Sequence, residues 1–271
     1  MQHSRVRLAS PTFALWRAPG VLQIGLDSPC VILAGVPDSL ARALALLARP
    51  ATPEELITLL PDLEPEWVPW LLARLESHGL LESAAPAEPS KVSVVGGGPI
   101  AAALTATLTG VTVQTIDPVS HAAALISTHG AEPALTVLAG PTAEPDRTLT
   151  DALFAAGRPH LLVRVEPGRA VVGPLVVPGR TPCVRCLDLS RCRLDAAWPH
   201  LLAQLCREAA EPDPVLLAWV ATIASVQIRA WLAGTLPESA GGSLELGRPD
   251  FRMRSRPWSA SPSCGCLVPI V

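Results

Sequence analysis

Charge is scarce in this chain: of 271 residues only 17% are Asp, Glu, Lys or Arg, and the formal net charge is −3. That balance supplies no basic footprint for nucleic acid or an anionic membrane, so neither is expected as a partner. Met1 to Phe13 lack the apolar run of a secretory signal, so secretion is not expected. Together with the odd count of seven cysteines, this points to a reducing cytoplasm, where thiols are used for metal rather than disulfides. No uninterrupted apolar stretch reaches the ~20 residues of a spanning helix. The longest, Val215 to Leu232, is broken by Gln227 and Arg229 and reads as a core helix. The 29 prolines and 19 glycines follow no period, which excludes a collagen or a solenoid. The helical H-E-x-x-H pattern is absent, and the six histidines (His3, His78, His121, His129, His160, His200) are scattered as surface or internally satisfied residues.

What the chain does carry is two tight cysteine pairs, Cys183-x-x-Cys186 and Cys264-x-Cys266, with 77 residues between them. Zn²⁺ takes four thiolates tetrahedrally, and short turns present two sulfurs each without strain. Two closed pairs leave no open position for water, so the expected site is structural, a zinc knuckle that clasps the fold. The alternative is four buried thiols or a disulfide pair. Cys30, Cys192 and Cys206 stand outside the pairs and default to small buried thiols. Cys192, between Arg191 and Arg193, has a second reading as a reactive thiol.

Breakers at Ala18-Pro19-Gly20 and at 26–29 divide residues 11–36 into three strand-like pieces. Three short helices follow: one capped by Asp38 or Ser39 and running through Leu47, one capped by Thr52 with Glu54 and Glu55 in its first turn, and one opened by Pro65 and stopped by Gly79. This is a small winged-helix-like α+β domain over residues 1–84, and the Pro/Ala segment 84–90 reads as a linker. Residues 91–271 begin with a buried strand, the turn Gly96-x-Gly98-x-x-Ala101, a small-residue helix, and a second strand ending in Asp117. That is the opening βαβ of a nucleotide-type sheet, with Asp117 where a ribose hydroxyl is held. The same glycines also serve simple close packing of strand and helix. Further parallel strands at Leu135–Leu138 and Leu161–Val165 complete a Rossmann-like, doubly wound α/β layer, with later strands at Ser243–Leu246 and Phe251–Arg254.

The charges of the front domain decide against DNA. Between Pro53 and Glu82 there are seven acids and a single base, Arg74. Its third helix carries Trp67, Trp70, Leu71, Arg74 and Leu75 at three- and four-residue spacing. An extended peptide added beside the strand at Val31 and Leu33 would meet Trp67, Trp70, Leu71 and Arg74, a peptide-binding set of the strand-addition kind. The alternative is a fully covered domain that supports the α/β body.

Residues 173–191 around the first cysteine pair, the helix at 215–233 and the terminal Ser261-Pro-Ser-Cys-Gly-Cys266, following a glycine-turn strand, resemble the ThiF/MoeB superfamily of ubiquitin-activating-like proteins. With residues 15–36 in front, essentially the whole chain resembles the leader-peptide-binding cyclodehydratase partner proteins of azole-forming (TOMM) ribosomal peptide (RiPP) biosynthesis. The resemblance implies a peptide clamp at the front and a zinc held by Cys183, Cys186, Cys264 and Cys266. It implies as partners a precursor peptide and a separate or fused YcaO protein performing ATP-dependent cyclodehydration, with the chain as a homodimer. Ser261 departs from the pattern, since many relatives carry His there. Active superfamily members bind ATP at the glycine turn and need cations for the polyphosphate. Here no Lys or Arg occurs from Val92 to Asp146, while Asp117, Glu132, Glu144 and Asp146 are acidic. A helix N-terminus contributes about half a charge, too little for a polyphosphate, so a degenerate nucleotide site is expected and ATP is not. Arg147, Arg158 or an arginine from a second subunit would be needed to restore adenylation.

Overall fold

Residues 5–26, 30–83, 91–116, 134–209 and 211–267 are described by the computed structural model, and the chain divides into two units, Met1–Glu88 and Pro89–Val271. In the first, β2 (Ala14–Ala18), β3 (Val21–Ile24) and β4 (Val31–Ala34) form an antiparallel sheet in that order. Pro19 and Gly20, the latter at φ +71°, make the tight β2–β3 turn. Alternation sets the sheet's inner face: Leu22 pairs with Leu33 and Ile24 with Val31, all four buried. Onto that face pack α1 (Leu40–Leu46), α2 (Pro53–Leu59) and α3 (Trp67–Ser77), through Leu40, Leu44, Leu56, Val68, Leu71 and Leu75. Thr52 and Glu55 close a full capping box on α2. Ser39 precedes α1 but makes no side-chain cap. After α3 the chain turns through Gly79 at φ +66° into β5 (Leu81–Ser83), which pairs antiparallel with β1 (Val6–Leu8).

The second unit is built on seven strands in the order β12-β11-β10-β9-β8-β6-β7. Here β6 is Lys91–Val95, β7 Thr112–Ile116, β8 Leu135–Leu138, β9 His160–Glu166, β10 Arg169–Val176, β11 Gly242–Gly247 and β12 Arg252–Pro257. The β7-β6-β8-β9 half is parallel, as an α/β layer requires. From β9 onward every pairing is antiparallel. The sheet is therefore mixed: the strands read as parallel from the sequence, Leu135–Leu138 and Leu161–Val165, pair in parallel, and the strands that follow turn antiparallel. The cause is local: Pro167-Gly168, with Gly168 at φ +77°, leaves no length for a crossover between β9 and β10.

Helices cover both faces. α4 (Pro99–Thr107) and α8 (Pro214–Leu232) pack on one, where Ile100, Leu104, Leu216, Val220, Ala224 and Ile228 meet Val92, Val137, Leu161 and Val172. α8 is long and apolar enough to cross a membrane by length and composition, but this stripe of it belongs to the core. On the other face, α5 (Arg147–Ala155) and α6 (Val184–Leu194) bring Leu149, Leu153 and Val184 over Val95, Leu138, Leu162 and Val176. α7 (Trp198–Leu205) contacts α6.

Candidate metal centre and the sites around it

Cys183 is the N-cap of α6 and Cys186 lies one turn inside it, so both sulfurs sit at the positive end of a helix that favours thiolate. Thr181 fixes the approach to that end, its Oγ1 accepting from the Val177 amide at 2.8 Å. Cys264 and Cys266 come from the tail beyond β12, where Gly265 at φ +72° makes the turn between them. The four Sγ atoms all lie within 4.8 Å of one another. Cys183 to Cys264 is 3.4 Å, Cys186 to Cys266 3.3 Å and Cys183 to Cys186 4.0 Å. Sulfurs about 2.3 Å from a central ion stand about 3.8 Å apart in a tetrahedron, so the cluster has the size of a four-thiolate site. A disulfide bond of about 2.05 Å matches none of these separations. Three of the four cysteines are buried and Cys264 is half-buried. Burial pushes the Cys183 and Cys264 thiols up from their ordinary pKa. Burial acts the same way on Cys186, but the Ser261 amide, donating to its sulfur at 3.3 Å, and the neighbouring thiols bring it below the ordinary value. Four converging thiols of this kind are a donor set for a soft divalent cation, whose charge is what ionises them all.

His160 belongs to this neighbourhood rather than to the surface. It is fully buried, its Nδ1 donates to the Arg158 carbonyl at 2.9 Å, and burial lowers its pKa to about 4, so the ring is neutral.

At the glycine turn the first glycine is governed by packing, whereas Gly97 and Gly98 are exposed. Gly96 lies at φ +131°, and a Cβ there would stand 2.5 Å from the Ala139 carbonyl oxygen, so β6 and the end of β8 approach as closely as they do because Gly96 has no side chain. Gly98, at φ +85°, is the N-cap of α4, and Pro99 at the first helical turn withholds one amide donor. Asp117 lies outside the described residues.

Sequence reasoning missed a buried charge cluster that joins residues far apart in the chain. Glu144, 3% exposed, accepts from Arg191 at 2.7 Å and Arg147 at 2.9 Å, with Arg164 at 3.4 Å. Burial would raise its pKa, but Arg164, Arg147 and Arg191 prevail and hold it at about 2. Arg147 also forks onto Asp188 at 2.8 and 3.0 Å, and the Trp198 indole donates to the same carboxylate at 3.0 Å. Arg191 lies 4.4 Å over the Trp198 ring. Arg147 is thus engaged, Arg158 is buried, and Glu144 is turned to structure; Asp146 caps α5 by accepting from the Thr148 amide.

Of the peptide-binding set, Val31, Leu33 and Leu71 point into the core of the first unit, because they occupy the inward positions of β4 and α3. Trp67 is half-buried, Trp70 and Arg74 are exposed, and the two indoles meet edge to face at 5.2 Å. On β4 the outward side chains are Ile32 and Ala34, which alternation along the strand identifies.

No family model matches this sequence, and no curated protein sequence does. Among solved structures the chain is similar to a heterocyclase in complex with substrate and cofactor, with TM-score 0.68 and 20% identity, covering 97% of this chain and 39% of that one. It is similar to the heterocyclase TruD, with TM-score 0.66 and 20% identity over 97% of this chain and 43% of that one. It is also similar to E. coli MccB with ATP, with TM-score 0.55 and 11% identity over 97% of this chain and 99% of that one. These likenesses are of fold, and the chain spans about two fifths of the length of the heterocyclases it matches.

Proposed function

We propose that the protein is a non-catalytic, zinc-stabilised ThiF-like scaffold in RiPP biosynthesis, which binds the leader segment of a precursor peptide and presents it to a YcaO-type cyclodehydratase. The observation that carries this reading is fold likeness across 97% of the chain to heterocyclases, one of them solved with its substrate. The front unit, read as a winged-helix-like clamp, offers the β4 edge with Ile32 outward and the exposed Trp70 and Arg74 of α3. Zinc on Cys183, Cys186, Cys264 and Cys266 stabilises the second unit and performs no step. Arg147, which could have answered a polyphosphate, is paired with Glu144 and Asp188, and at the glycine turn Gly96 is taken up by close approach to Ala139.

The test is titration of labelled leader segments of candidate precursor peptides from the same genome into the full-length protein, paired with an assay of azoline formation by a YcaO protein from that genome. Micromolar binding and a YcaO reaction dependent on this protein are expected. Failure of both removes the reading. The second reading, adenylation of a peptide carboxylate, is favoured by the likeness to MccB solved with ATP. ATP–pyrophosphate exchange stimulated by the peptide would select it over the scaffold.

A further inference from the structure

The antiparallel end of the large sheet stops at β12, which pairs with β11 alone among the described residues. All six residues of β12 are exposed, so neither face of this edge strand is covered there. Arg252, Arg254 and Arg256 alternate along it and share one face. Their charges are poorly met from within. Glu245 stands directly across from Arg254 but bonds instead to Arg169 at 3.1 Å. Asp250 lies 3.5 Å from Arg252 and 3.8 Å from Arg254, whose side chains are 79% and 70% exposed, so these contacts are screened by solvent. Arg256 has no carboxylate partner among the described residues; its guanidinium lies 4.4 Å over the Trp258 ring. Beside it opens a cavity of about 370 Å³ walled by Glu166, Arg169, Arg191, Trp198 and Arg256.

We propose that β12 is a docking edge for an acidic, extended segment of a partner protein, which adds as an eighth strand and sets carboxylates against Arg252, Arg254 and Arg256. This surface lies in the second unit and does not depend on the leader-binding reading of the first. Strand addition satisfies the free backbone groups of the edge, and alternate acidic side chains meet the arginine face. A second copy of this chain is the poorer occupant. Two edges joined about a two-fold axis perpendicular to the sheet place residues of the same face opposite each other, which sets arginine against arginine.

The experiment uses the full-length protein, a fluorescein-labelled twelve-residue peptide alternating Glu with Val, the same peptide with Lys for Glu, and an acidic peptide of equal charge with prolines in place of the valines. The Glu/Val peptide is expected to bind in low salt and the other two to fail. The double variant Arg252→Glu/Arg254→Glu should lose about tenfold in affinity for the acidic peptide and gain binding of the Lys peptide. Because these side chains are exposed, its melting temperature should match the parent's, which separates lost docking from lost folding. Unchanged affinity of the double variant, equal binding by the proline peptide or by a twelve-residue oligothymidine, or no binding of the Glu/Val peptide would each overturn the proposal. So would sedimentation showing a dimer that the double variant dissolves.

Discussion

At Glu144 one carboxylate neutralises arginines from three places in the sequence, and the cost of losing it follows from burial. Glu144→Gln leaves Arg147, Arg164 and Arg191 close together with a neutral partner, and breaking such a buried set costs about 3–5 kcal/mol; urea denaturation of the variant will measure it. The same residue fixes a pH dependence. Its folded pKa of about 2 lies below the ordinary 4.5. The unfolded chain therefore takes up the proton first as pH falls, and stability present above pH 4.5 is lost on the way to pH 2. The stability gap between the parent and Glu144→Gln should accordingly shrink by about 3 kcal/mol over that window. At the cysteines, Cys183→Ser or Cys264→Ser removes one of four donors. Near-stoichiometric zinc in the purified parent should vanish in either variant, with a loss of several kcal/mol, a fall of about 10 °C or more in melting temperature. Elemental analysis and calorimetry read both.

The helix α3 divides its labour between neighbouring positions. Leu71, 1% exposed, is core, and Leu71→Ala should cost about 2–5 kcal/mol. Trp70, 42% exposed, should be dispensable for stability within about 1 kcal/mol while Trp70→Ala weakens leader binding about tenfold, as anisotropy titration will show. Elements of this kind were legible in the sequence where the signal is local. Thr52 and Glu55 announce the start of α2, Gly79 the end of α3, and Cys183-x-x-Cys186 with Cys264-x-Cys266 a four-sulfur cluster. The three-residue strands β1 and β5 carry too few side chains to form a pattern, and β10 is hidden because it is buried on both faces and contains Gly173 and Pro174. The Glu144 cluster could not be read at all. Its members sit on the β8–α5 loop, α5, β9 and α6, and each alone looks like an ordinary surface charge.

At the scale of the whole molecule, a metal held by the four thiols would act on one unit. All four thiols lie in Pro89–Val271, and the hydrogen bonds of the first unit, such as Arg5 to Glu55 and Arg42 to Asp62, involve none of them. Differential scanning calorimetry should therefore resolve two transitions, of which a strong chelator lowers one by about 10 °C or more and leaves the other in place. A single transition that shifts as a whole would show that the units unfold together. The order of the four thiols along the chain sets how truncation would affect metal binding. Cys264 and Cys266 follow every described strand of the seven-stranded sheet, whereas Cys183 and Cys186 precede β11 and β12. A polypeptide released after truncation before Cys264 would keep every described strand of the sheet but only two of the four thiols, so it should bind a divalent cation far more weakly than the longer chain.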